Sequence, residues 1–379
     1  MSEYQYYEFR AIDRPLNEQE LRSLHLISTR GEITPTSYVN TYSWGDFKGN
    51  PDRLMETSFD AFVHVANWGA RRFVLRLPAT LLRPEFLSSC CRGDSLQSRR
   101  ADEFCVIDFQ TEKEPGDWLD GEGWMASLLP LRADLMRGDD RCLYLGWLCC
   151  AQSEELHEDE LEPPVPAGLQ SLSGSLKSFI EFMDLGDALV EVAARASEQP
   201  AAAPARDDLS EWVRAMPSAE KDALLVEAAL TGRSQTGIEI LRQFGMARRT
   251  TSDSKSPPNR RTVGELLAAA DKLASEKARQ LAERQAAEEE RKVREAAEAR
   301  TRYLDQLAER EAATWQNVTM LVQTKQPDKY GLAVSLLVDL RDLAARDGRD
   351  AQFRLALASL RGVHSAKPSF LRRLAEAGL

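Results

Sequence analysis

ELLAAADKLASEKARQLAERQAAEEERKVREAAEARTRYLDQLAEREAATWQNVTMLVQTKQ, residues 265–326, contains no glycine and no proline and is built almost wholly from Ala, Glu, Arg, Lys, Gln and Leu. At about 1.5 Å per residue a helix over this span is a rod of roughly 90 Å, against about 10–14 residues for an ordinary globular helix. Glu288 with Lys292, Glu290 with Arg294 and Glu298 with Arg302 stand four apart in the favourable order. Each pair adds about 0.2–0.5 kcal/mol of local support. Larger apolar residues gather at the ends, from Val263 to Leu281 and from Tyr303 to Val322; between Ala282 and Arg302 only Val293 exceeds alanine among them. A strong coiled coil needs its a/d seam sustained over three or four heptads. The expectation is a solvated spacer helix over 263–326, with homo-oligomerisation through a coiled coil as the alternative.

Downstream, 327–379 reads as a small helical module of three helices, Tyr330–Ala345, Ala351–Arg361 and Pro368–Ala377, the last with proline at a tolerated first-turn position. Upstream, 246–262 holds Arg248, Arg249, Lys255, Arg260 and Arg261 against Asp253, with two prolines and no aromatic to stack on a base. That composition reads as a flexible basic linker; a nucleic-acid contact is the competing reading. Residues 169–245 form a helical segment. Residues 153–168 carry Glu154, Glu155, Glu158, Asp159, Glu160 and Glu162 ahead of Pro163, Pro164 and Pro166, an acidic linker by composition.

The first 152 residues alternate between strand and helix signals. YQYYEFRAI, Tyr38–Trp44, Arg72–Leu77, Phe104–Phe109 and Cys142–Cys150 read as strands. A helix capped by Asn17, a second over Pro51–Trp68 and a third over Trp124–Met136 lie between them. The expected fold class is therefore α+β: an N-terminal α/β sandwich on a mixed sheet, followed by an all-α half with a long charged helix.

Composition narrows the function. With 379 residues the chain suffices for two or three domains; its 43% hydrophobic and 29% charged residues are ordinary for a soluble protein. No apolar run approaches the length of a membrane span, and MSEYQYYEFRAID lacks a basic n-region and an apolar h-region, so a cytoplasmic protein is expected. A net charge of −11 argues against a chain that coats nucleic acid as a whole. Cys90, Cys91, Cys105, Cys142, Cys149 and Cys150 show no C-x-x-C spacing and read as reduced small hydrophobes, so neither a metal nor another cofactor is expected.

No phosphate loop, dinucleotide fingerprint, zinc-protease helix or nucleophile elbow is present. His25 and His64 fall inside helix patterns, with no nucleophile beside them. The segment that reads as more than scaffold is TYSWGDFKGNP, Thr41–Pro51, in which Trp44, Asp46, Phe47 and Lys48 surround two glycines, with Arg71 and Arg72 as cations nearby if the strands are neighbours. The bland reading is a strand-to-helix turn with Trp44 plugging the core. Asp46 and Lys48 with Asp52 and Asp108 invite comparison with a metal nuclease, although their order along the chain is wrong for it.

YYEFRAIDRPLNEQEL, ITPTSYVNTYSWGDFKGNP, FVHVANWGARRFVLRLP, YGLAVSLLVDLRDLAARDG and KPSFLRRLAEAGL together resemble a family of uncharacterised bacterial proteins. The resemblance implies a bacterial cytoplasmic protein and carries no functional residue. The leading expectation is a non-enzymatic scaffold or adaptor that bridges protein partners through the N-terminal domain and the helical arm. An enzyme or nuclease component using Asp46, Lys48 and Asp108 is the second expectation, and a nucleic-acid-associated protein using Arg248, Arg249, Arg260 and Arg261 the third.

Overall fold

The computed structural model describes residues 4–379 except 29, 113–119, 200–205, 232–236, 238, 239, 242, 246–259 and 325. Two compact units divide the chain, residues 1–276 and 277–379.

In the first unit seven strands form one sheet in the order β2-β3-β1-β4-β5-β7-β6: β1 Gln5–Arg10, β2 Glu32–Thr34, β3 Ser37–Tyr42, β4 Ala61–Ala66, β5 Ala70–Pro78, β6 Leu96–Ala101 and β7 Phe104–Glu112. Every neighbouring pair is antiparallel, so the α+β class holds while the sheet is not mixed. Hairpin-length connections such as those between β4 and β5 and between β6 and β7 permit only antiparallel neighbours.

Helices cover both faces. On one, α1 (Glu18–Ile27) and α2 (Pro51–Thr57) pack Leu24 and Met55 against Phe9, Tyr38 and Phe62. Asn17 caps α1 in a reciprocal capping box with Glu20, which fixes where the chain turns into the helix. The other face lies under α3 (Pro84–Cys90), α4 (Trp124–Leu128), α5 (Pro130–Met136), α6 (Arg141–Gln152), α7 (Gly174–Met183) and α8 (Asp187–Ala194). Beyond them come α9 (Arg206–Ala215) and α10 (Ser218–Thr231).

Two expectations are corrected here, for one reason. The helix expected over Pro51–Trp68 stops at Thr57, and AFVHVA is the central strand β4, which places His64 on a strand. The strand expected over Cys142–Cys150 is α6, in which Cys142 through Ala151 are all buried. An element covered on every side loses its polar face, so apolar periodicity no longer separates helix from strand. Gly146 lets α6 lie close on the sheet, since a Cβ there would stand 2.8 Å from the Phe109 ring. The edge strands also escaped the sequence reading, β2 being three residues long and β6 polar.

The long helix runs from Val263 to Glu309 as α11, and a separate α12 occupies Glu311–Gln323. The break at Arg310, φ −121° and ψ 21°, corrects the single uninterrupted rod over 263–326. No glycine or proline marks it. Packing imposes it: Leu304 and Leu307 before the break and Val318 and Val322 after it are buried in one cluster with α13 (Pro327–Arg346), α14 (Asp350–Val363) and α15 (Pro368–Glu376). Arg300 ties this unit together through Asp339 at 2.6 Å and Asp342 at 2.7 Å. At its other end α11 buries Val263, Leu266 and Ala270 in the core of the first unit. The side chains of residues 274–299 are exposed throughout. No described helix is long and apolar enough to cross a membrane.

Candidate recognition face

Register builds the site. Asn40, Tyr7, His64, Arg72 and Gln110 stand directly opposite one another on five successive strands, β3, β1, β4, β5 and β7. Side chains alternate along each strand, so this row lies on the same face as Phe9 and Phe62, two residues further along their strands. The row is largely polar, where Phe9, Tyr38 and Phe62 beside it are aromatic and Val74 and Val106 aliphatic.

Its contacts lead outward to the loop singled out by sequence. Tyr7 donates its hydroxyl to Gln5 Oε1 at 2.6 Å, and His64 Nε2 lies 3.4 Å from the same oxygen. Gln5 in turn donates from Nε2 to Asp46 Oδ1 at 2.9 Å and to the Gly45 carbonyl at 3.2 Å. Gly45 adopts φ +77°, a backbone state that favours glycine and turns the loop sharply. Phe47 points inward and stacks on Tyr7 with ring centroids 5.1 Å apart. Phe47 is half-buried against the core, whereas Trp44 is 71% exposed with the Arg30 guanidinium 5.6 Å from its ring centroid. Lys48 is exposed. The loop is accordingly an inward anchor carrying an outward tryptophan. Trp and Arg are among the residue types enriched in binding hot spots.

The two arginines separate. Arg71 donates to the carbonyls of Glu181 at 3.1 Å and Phe182 at 2.9 Å, closing the C-terminal end of α7 on the opposite face. Arg72 holds Asp108 through two bonds of 2.9 and 2.5 Å and Asp52 at 2.5 Å. Arg99 joins the same cluster through Asp52 at 3.1 Å and Glu56 at 3.0 Å. These bonds pin α2 onto the sheet, and Asp108, offered by sequence as a nuclease carboxylate beside Asp46 and Lys48, is committed to guanidinium groups.

Arg248 and Arg249 lie outside the described residues. Arg260, exposed, donates from Nε to the Glu162 carbonyl at 2.6 Å, and Arg261, half-buried, grips the Glu162 carboxylate at 2.9 and 2.7 Å. Tyr144 donates its hydroxyl to the same carboxylate. A bridge between Leu161 and Thr262 completes this junction, so these parts of the acidic and basic segments are zipped to each other. The six cysteines form no disulfide with one another, and all but Cys91 are buried; burial raises the Cys105 thiol to about 11.

Burial, with Arg72 as the lesser cause, pulls the His64 imidazole down to about 4. Its ring is neutral in the folded protein at neutral pH. The unfolded chain begins to take up that proton near pH ~6.5, so stability present above that pH falls as the pH drops towards about 4 and then levels off, for a total of at most about 3 kcal/mol. Denaturant titrations at several pH values across that window should show a limb that His64→Gln flattens. An unchanged slope in the variant would assign the acid sensitivity elsewhere.

Sequence reading missed Gln5, Asn40, Tyr7 and His64 as one constellation, because only strand register brings positions so far apart into a row. No protein-family model, curated protein or solved structure matches the chain. The reading of function therefore rests on this geometry.

Proposed function

We propose that the protein is a cytoplasmic, non-enzymatic adaptor that binds one protein partner at the Trp44 loop of its N-terminal unit and another through its C-terminal helical unit. One observation supports this reading above the others. A single helix, Val263–Glu309, roots its first turns in one hydrophobic core and its last turns in another, while the 26 residues 274–299 bury no side chain. Helices of globular proteins gain most of their stability from a buried face. One that forgoes it over seven turns acts as a mechanical link. Leu281 and Val293, the large apolar residues of that stretch, are 57% and 62% exposed.

Affinity capture from the native host tests it, using the full chain, the full chain with Trp44→Ala, and a chain ending at Glu276. A cut at residue 262 would remove Val263 and Leu266 from the first core and confound the result. The adaptor predicts that Trp44→Ala and the truncation lose different partners. Loss of the same set from both, or a metal-dependent activity abolished by Asp46→Ala, would overturn it. Light scattering on the full chain separately decides whether α11 pairs with a second copy.

A further inference from the structure

We propose that Gln5 is the positioning residue of the Trp44 surface: its buried amide clamps the loop in the conformation that presents the tryptophan to a partner. The partner rests on the adaptor reading, and the clamp rests on the geometry of the loop.

Gln5 is 2% exposed on β1, a strand paired on both sides, where it stands opposite Tyr42 of β3 and Ala66 of β4. Tyr42 is the last residue of β3, so the chain enters the loop directly beside the Gln5 side chain. Groups carried on strands hold their positions more precisely than groups carried on loops. Gln5 therefore brings the rigidity of the sheet to residues that are themselves exposed, Trp44, Gly45 and Asp46.

The amide has one workable orientation. Its oxygen lies 2.6 Å from the Tyr7 hydroxyl and 3.4 Å from His64 Nε2, and its nitrogen donates to Asp46 Oδ1 at 2.9 Å and to the Gly45 carbonyl at 3.2 Å. A carbonyl oxygen only accepts, so the neutral imidazole carries its proton on Nε2 in this contact. On the loop side the Asp46 carboxylate and the Gly45 carbonyl are both acceptors. Turning the amide over would set its N–H groups against the His64 N–H and its oxygen against those two acceptors. Donors behind and acceptors in front suit glutamine: glutamate lacks the donors that the loop requires, and lysine lacks the acceptor.

Tyr7 joins this clamp to the second hold on the loop. Its hydroxyl bonds Gln5 while its ring stacks on Phe47, three residues beyond Trp44. The tryptophan is thus carried between two fixed points. Setting a contact residue in place before association removes part of the ordering cost of binding.

The test uses the full chain labelled with fluorotryptophan and read by fluorine NMR, with the Trp44 resonance identified among those of the seven tryptophans by its loss in Trp44→Phe. Asp46 is exposed, so substitutions there spare the core. Asp46→Ala takes an acceptor from Gln5. It should shift or broaden the Trp44 resonance and cut capture of the host-lysate proteins that Trp44→Ala loses by at least about fivefold, the worth of one hydrogen bond. Asp46→Asn keeps an acceptor and should leave both readings unchanged. Gln5→Glu sets a carboxylate against Asp46 and should have the larger effect; adding Asp46→Asn, whose amide donates back to the new carboxylate, should restore the resonance and the capture. Mere loss of packing at Gln5 would give no such rescue. An Asp46→Ala chain with the native Trp44 resonance, or with a moved resonance and undiminished capture, overturns the proposal, as does a folded Gln5→Glu chain that Asp46→Asn does not rescue. Should Gln5→Glu fail to fold, the comparison of Asp46→Ala with Asp46→Asn decides alone. A Trp44→Ala chain that loses no partner sinks the adaptor reading at this loop, and the resonance then judges the clamp; a clamp that fails while Trp44→Ala still loses partners falls by itself and leaves the adaptor standing.

Discussion

Asp60→Ala is expected to lower the unfolding free energy of the N-terminal unit by about 3–5 kcal/mol, the usual cost of stranding a buried charge. Asp60 is fully buried at the start of β4. One carboxylate oxygen receives Arg76 Nε at 3.2 Å and Nη2 at 2.8 Å; the other accepts the backbone N–H of Ile12 at 2.6 Å and of Asp13 at 2.9 Å. Arg132 of α5 adds a bond to the Arg76 carbonyl at 2.9 Å and an ion pair with Asp13 at 2.7 Å. Removing Asp60 leaves two guanidinium groups, each about 5% exposed as residues, without their shared anion. Two main-chain donors are orphaned with them. Denaturant melts followed by aromatic fluorescence measure the loss. Arg137→Ala, which breaks a solvent-facing pair with Asp134, is the control and should change stability by no more than about 1 kcal/mol. Equal effects from the two substitutions would mean that the buried network is not what holds β4 and β5 to α5.

Arg261→Ala is expected to loosen the root of the long helix. Glu162 is 3% exposed and depends on Arg261 for its compensating charge, while Tyr144 supplies only a hydroxyl. Arg261 itself keeps 26% of its side chain exposed, which admits water to the pair and sets the cost near the low end of the buried range, about 3 kcal/mol. Glu160 and Glu158 accept the backbone N–H groups of Val263 and Gly264, each at 2.9 Å, so the same loss reaches the first turn of α11. Amide exchange over residues 263–270 should accelerate more than over α6. Glu162→Gln, which removes the buried charge and retains two hydrogen-bonding atoms, should cost less than Arg261→Ala. A larger cost for Glu162→Gln would show that hydrogen-bond geometry at Tyr144 outweighs charge there.

Legibility differed from element to element for identifiable reasons. Asn17 with Glu20 announced α1 because a capping box is a local hydrogen-bonding device. Pro368, opening a helix at its first turn, marked α15 in the same local way, whereas the start of α13 at Pro327 lay three residues ahead of the expected Tyr330. The strand Ala61–Ala66 and the helix Arg141–Gln152 were exchanged because both are buried on all sides. For the recognition loop the sequence offered Trp44, Asp46, Phe47 and Lys48 as a displayed surface, with a turn in which Trp44 plugs the core as the bland alternative. It had no means of telling that Trp44 faces solvent while Phe47 enters the core, since two aromatics three residues apart in a loop carry no periodicity.

The sequence by itself determined the α+β half, the helical half and the long charged helix, since those follow from composition, breakers and contacts within a few residues. The tertiary structure alone decided that the sheet is antiparallel and ends on β6, that Arg260 and Arg261 close on Glu162, and that the helix stops at Arg310. Each of those outcomes joins residues far apart in the chain, where burial and charge pairing depend on what the fold brings near and no local pattern encodes the partner.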